Sequence, residues 1–264
     1  TYEDDDISEL VTKEIHDQVL AAIVWLLGIV QDRRFSNFRP VLDVYIQNRF
    51  SIQDYEQQSH QLFTNNASGN KRETRNYSYR IAPETTFEHL MKSLSRLCRD
   101  PSDASKAKLL RSSMKVWDYL FRFIVRSRLN QQQKEHEEER AVHDEAFKNE
   151  LDKLLLEITS IMSPEHPSSM IGTQTLALQH FADILVELHR IFSPQQVVQA
   201  AVQFVDACAH VTGRLVGFKL AMILSVIKGP TFEYPSCRLD MAKNVIRWIR
   251  LSLNSYMATA KDVI

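Results

Sequence analysis

The chain has 264 residues, a formal net charge of −1, 44% apolar residues, and only 6 glycines and 8 prolines. That is enough length and apolar content for a sizeable core, while the scarcity of Gly and Pro excludes a turn-rich β fold. The balanced charge leaves no whole-chain attraction to nucleic acid or acidic lipid.

Cys98, Cys208 and Cys237 are odd in number and far apart, so they form no disulfide framework and suit a reducing, cytoplasmic setting. No signal peptide is recognisable. The uncharged run Gln18–Gln31, bounded by Asp17 and Asp32, is too short to span a bilayer. The chain opens on Thr and closes in helical-looking sequence, as a segment of a longer protein does, so any activity of a parent is expected elsewhere.

Thr1–Ser8 is acidic and reads as a frayed tail. From Glu9 to Val30, apolar residues recur at helical spacing, and this first helix should end near Asp32–Arg34. Asn37 is placed to cap a second helix with Pro40 in its first turn and Val41, Leu42, Tyr45 and Ile46 facing inward. Ser51 opens a third helix, ending near Thr64. Residues 65–78 are almost free of apolar side chains and read as a polar loop. Helix resumes at Pro83–Thr86 and stops at Asp100-Pro101-Ser102.

The stretch Lys115–Leu129 is apolar nearly all round, with Trp117, Tyr119, Phe121 and Phe123 among Val116, Leu120, Ile124 and Val125. Its flanks predict one long central helix of roughly 25 residues, covered by neighbours on several sides. Residues 131–140 are strongly polar and read as a solvated helical extension or a frayed connection. Phe147, Leu151, Leu154, Leu155, Ile158 and Ile161 mark the next helix, and Thr173–Ile191 another. Ser193-Pro194 starts a helix running to about His210. Arg214–Val226 follows, then a loop at Gly229-Pro230 and Pro235. The last helix begins at Ser236 or Cys237 and turns Met241, Val245, Trp248, Ile249 and Met257 inward. About ten helices with short links and no strand predict a single all-α domain over 1–264, an armadillo- or HEAT-like α-α superhelix.

The chemistry inventory is short. His136 and His143 flank Glu139, but Arg140 stands where a zinc-protease signature needs its second histidine, so no metal site is expected. His180 and His189 read as hydrogen-bonded core or boundary residues. Cys98 and Cys208 read as small hydrophobes. No phosphate loop, dinucleotide fingerprint or nucleophile elbow is present, and neither a cofactor nor a catalytic residue is expected. Arg111, Lys115, Arg122 and Arg126 fall on one face of the predicted central helix. They form a candidate docking stripe for an acidic partner or phosphoinositide headgroup; the alternative is that they pair internally or face water.

Phe35-Ser36-Asn37-Phe38-Arg39-Pro40-Val41-Leu42, with Tyr45-Ile46 and Phe50 after it, resembles the central region of DOCK-family (dedicator of cytokinesis) exchange factors. The match is most specific at Tyr119–Arg128 (YLFRFIVRSR) and weaker at Ile191-Phe192-Ser193-Pro194 with Phe204. The resemblance spans most of Ile15–Leu253, leaving out residues 65–78 and 131–140. It implies an armadillo-like, non-catalytic scaffold between a lipid-binding domain and the exchange domain of an activator of Rho- or Rap-type GTPases. Its partners are then proteins, the flanking domains or a second copy. The GTPase and the membrane are reached only through the parent, which is cytoplasmic and recruited to the membrane. The competing reading is a stand-alone peptide-binding α-solenoid adaptor, which predicts a concave groove with a ladder of exposed Asn, Trp or Arg.

Overall fold

The computed structural model describes residues 2–49, 83–133 and 135–261. The expected helix from Ser51 and the polar loop 65–78 lie outside the described residues.

Ten α-helices account for most of the described residues, with no strand among them. They are α1 (Tyr2–Gln31), α2 (Arg39–Val44), α3 (Pro83–Arg99), α4 (Ala107–Met114), α5 (Trp117–Gln132), α6 (Glu137–Ser160), α7 (Ile171–Leu188), α8 (Pro194–Ala207), α9 (Arg214–Lys228) and α10 (Pro235–Lys261). Their packing is that of a two-layer stack. In one layer α1 packs on α3, α3 on α6, α6 on α8 and α8 on α10. In the other, the π-helical turn Tyr45–Arg49 packs on α5, α5 on α7 and α7 on α9. The helices of each layer thus pack on their neighbours in succession rather than closing a bundle, which makes an α-α superhelix.

The core runs between the layers. Trp117, Phe121, Phe181 and Phe204 are its largest fully buried side chains. Phe181 of α7 and Phe204 of α8 stack with ring centroids 3.7 Å apart. The expected α6 face, from Phe147 to Ile161, is buried throughout. Local signals set several boundaries. Ser193 accepts from the Gln196 backbone N–H at 3.3 Å while the Gln196 side chain accepts from the Ser193 N–H at 2.9 Å, a complete capping box with Pro194 behind it. Gly213, at φ 59°, supplies the left-handed residue that opens α9.

Six expectations are corrected. The acidic start is helical from Tyr2 rather than frayed. Within α1, Lys13–Gln31 is long and apolar enough to cross a bilayer by length and composition, a wider window than the uncharged run alone; its Leu20, Val24 and Leu27 are buried in the core. Asn37 caps nothing: Arg33–Phe38 forms a 3-10 turn that runs into α2 in right-handed geometry, so no extended cap residue exists. The inner face expected of that region reduces to Leu42 and Ile46, with Val41 and Tyr45 exposed. The central helix is two helices, broken at Lys115–Val116, where Val116 leaves helical geometry (φ −124°, ψ 17°). The break lets Val116, which a continuous helix would turn away from the face shared by Met114 and Trp117, enter the core with them, all three fully buried. Finally, Ile249 points outward on α10 rather than inward.

Candidate interaction surfaces

The break between α4 and α5 removes the continuous face that the basic stripe was read on. Arg111 is half-buried on α4 and Lys115 is exposed in the link; among the described residues neither is in an ion pair. Arg122 is directed inward. Its Nε donates to Glu187 of α7 at 2.9 Å, its Nη1 donates to Asp43 of α2, and its guanidinium lies 5.1 Å above the Tyr119 ring. Burial works against the charge, but the Glu187 hydrogen bond and the carboxylates of Glu187 and Asp43 outweigh it, holding the guanidinium above its ordinary range. Arg126 donates to the Gln47 carbonyl at 2.9 Å. Arg122 and Arg126 therefore tie the N-terminal helical turn to the α5/α7 layer. Glu187 was not singled out in the sequence, yet it stands among Leu185, Val186 and Leu188, and an acid on an apolar helical face is the signal of a buried pair.

A second polar knot closes the corner between α5 and α6. The sequence suggested that nothing in 131–140 could be buried. Instead Arg128, 3% exposed, reaches the corner with its whole fork. Nη1 and Nη2 donate to the two oxygens of Glu135 at 2.7 and 2.6 Å, Nε donates to Asp144 at 2.8 Å, and Gln131 accepts a further bond at 3.1 Å. The Arg128 hydrogen bond holds the Glu135 carboxyl below the usual carboxylate range. His143 sits 2.9 Å from Glu135 on the exposed side. The polar run is thus not one continuous helical extension: Gln131 and Gln132 end α5, Glu137–Arg140 open α6, and the chain turns between them.

The other reactive residue types are structural. His136 is exposed at the start of α6, and among the described residues no group of three His, Cys, Asp or Glu is placed to hold a metal. His180 lies 3.6 Å from Asp183. His189 does not hydrogen-bond as expected: its ring stacks on Tyr234 at 5.4 Å, both nitrogens are buried without a partner, and burial pulls its pKa down. Cys98, Cys208 and Cys237 are free and buried. Burial pushes the Cys208 thiol up to about 12, so it is no nucleophile at neutral pH.

What the surface does offer is exposed apolar side chains at both ends of the stack. On α1, Ile15, Val19 and Leu26 form an outward row beside Trp25, which is 68% exposed. On α10, Leu239, Ile246, Ile249 and Leu253 form another, and an open groove is lined by Ile246, Ile249, Arg250, Leu253 and Asn254. Single exposed apolar residues are ordinary, but contiguous rows mark contact surfaces.

Comparison with known proteins gives one consistent answer. The family model described as the dedicator of cytokinesis (DOCK) TPR region matches residues 77–261. Dedicator of cytokinesis protein 3 of Mus musculus and of Homo sapiens are each 22% identical over 240 residues, covering 89% of this chain and 10% of the relative. Dedicator of cytokinesis protein 4 of Homo sapiens is 21% identical over 241 residues with the same coverage. The chain therefore spans about a tenth of the length of the curated relatives it matches.

Proposed function

Because the chain belongs to the DOCK TPR-region family, we propose that it is a non-catalytic helical scaffold within an activator of Rho- or Rap-type small GTPases. In this reading it sets the spacing between a lipid-binding and an exchange domain elsewhere in the parent, which works in the cytoplasm and is recruited to membranes. The observation that carries the reading is the two-layer stack, in which α1, α3, α6, α8 and α10 pack in succession on one side and α5, α7 and α9 on the other. Such a stack is stiff along its length and suits a spacer. The docking role expected of Arg111, Lys115, Arg122 and Arg126 falls to Arg111 and Lys115, because Arg122 and Arg126 are engaged inside the molecule.

Release of a fluorescent nucleotide from Rho- and Rap-type GTPases tests the proposal. The segment leaves the release rate at its spontaneous value. Acceleration by the segment alone would overturn the scaffold reading.

A further inference from the structure

Helices α7, α8, α9 and α10 meet at the turn 229–235. The backbone makes a 3-10 turn at Pro230–Phe232 and enters α10 at Pro235. The buried Thr231 hydroxyl donates to the Val226 carbonyl of α9 at 2.7 Å. Arg238 of α10 folds back, its Nε donating to the Phe232 carbonyl at 2.7 Å and its Nη2 to the Glu233 carbonyl at 3.2 Å. Gln195, in the first turn of α8, donates to the Ser236 hydroxyl at 3.3 Å. Helix α7 reaches the turn through His189, the residue that ends it, whose ring stacks on Tyr234.

His189 is the one misfit in this corner. Neither ring nitrogen reaches solvent or a hydrogen-bond partner. A neutral imidazole carries one N–H donor and one acceptor nitrogen, and leaving both unmatched is unfavourable. An apolar side chain would fill the same space without that cost. What the histidine adds is a second proton close to neutral pH. As imidazolium it would hold a charge and two donors beneath Tyr234 with nothing to accept from them.

The surrounding charges leave that imidazolium almost unsupported. On α7, Arg190 is held by Glu187 at 3.2 Å, and Glu187 also accepts from Arg122. On α10, Arg238 is engaged by the two carbonyls. Lys228, which ends α9, is exposed, and α8 opens on the uncharged Pro194, Gln195 and Gln196. Among the described residues only the Glu233 carboxylate acts on the ring, and burial outweighs it. The way out is short. Tyr234 is 37% exposed, and Glu233, Pro235 and Ser236 beside it are exposed. Once outside, the imidazolium stands at the C-terminal end of α7, where the helix dipole favours a cation.

We propose that His189 is a proton-operated latch on this corner. On gaining a proton its ring swings out from beneath Tyr234, and the turn 229–235 lifts off the end of α7 while the rest of the stack stays folded. This goes beyond the scaffold reading and does not depend on it.

Amide exchange of the whole chain, read by mass spectrometry above and below pH 6.5 and corrected for the intrinsic pH dependence of exchange, follows the opening. Opening of 229–238 is flat above that pH. Below it, opening grows by up to about tenfold per pH unit, because the open form holds one more proton. Peptides around Trp117 in α5 do not change. His189→Phe keeps a ring against Tyr234 and removes the titration, so opening in 229–238 becomes flat throughout. Glu233→Gln withdraws the one charge that favours the imidazolium, and the His189 ring, followed by its NMR side-chain shifts, titrates at a lower pH than in the unsubstituted chain. The proposal is overturned if exchange in 229–238 does not depend on pH, or if His189→Phe retains the dependence. It is also overturned if α5 opens in parallel, since that is unfolding of the whole chain, or if His189 titrates while 229–238 stays closed.

Discussion

Replacing Arg122 by methionine separates an internal clamp from a partner-facing cation. Glu187 is only 5% exposed, and Arg122 donates to it from α5. Removing one member of a buried pair costs about 3–5 kcal/mol, because the remaining charge is stranded. Two features reduce that here. The Arg122 side chain is 29% exposed, so part of the interaction is already screened, and Arg190 lies 3.2 Å from the other Glu187 oxygen. The worked expectation for Arg122→Met is therefore about 2–3 kcal/mol. For a domain of this size that lowers the thermal midpoint by roughly 4–10 °C. Glu187→Met alone strands Arg122 less severely, since Asp43 still accepts from it. The double variant, with a volume-matched apolar pair, should recover most of the loss. Urea denaturation of the four proteins in a double-mutant cycle measures the coupling. An Arg122→Met midpoint within about 0.5 kcal/mol of the parent, as for an ordinary surface change, would refute the clamp; so would strictly additive single variants.

Other expectations follow from the same packing. Trp117→Ala removes a fully buried ring and should cost about 3–5 kcal/mol, read as a shift in the urea midpoint. Arg128→Leu strands Glu135 and Asp144, which are partly solvated, so the cost is about 2 kcal/mol and amide exchange in 131–140 rises. Lys219 is 6% exposed and has one long bond, 3.4 Å, to the Cys208 carbonyl; burial depresses its pKa, and Lys219→Met should leave the thermal midpoint unchanged or raise it. Burial lowers the pKa of His89, His189 and His210 below the ordinary 6.5. The unfolded chain then binds protons first as pH falls through 6.5, so stability is retained above that pH and declines below it. Thermal midpoints at neutral and mildly acidic pH test this, and His189→Leu should flatten the slope.

The local grammar of the chain was readable in advance. Helix periodicity, the Ser193-Pro194 start, the stop at Asp100-Pro101 and the buried face of α6 depend on residues within about four positions of each other, and the folded chain keeps them. The all-α class follows from the same information. On α10 the spacing turns Ile249 inward with Met241, Val245 and Trp248, whereas in the folded chain it is exposed. A helix with two apolar rows has no periodicity that says which row its own stack will bury.

What tertiary structure decided is where the charges go. Arg122 shares a helical face with Arg126 in either reading. Only packing brings it to Glu187, 65 residues later, and Asp43, 79 residues earlier. Arg128 likewise folds a run of polar residues into a corner through partners up to 16 positions ahead. The break at Lys115–Val116 belongs here too, because it is favoured by the joint burial of Met114, Val116 and Trp117. Periodicity is enforced by the hydrogen-bonded turn of a single helix. Pairing across helices depends on which faces meet, and that is set by the shape of the whole core.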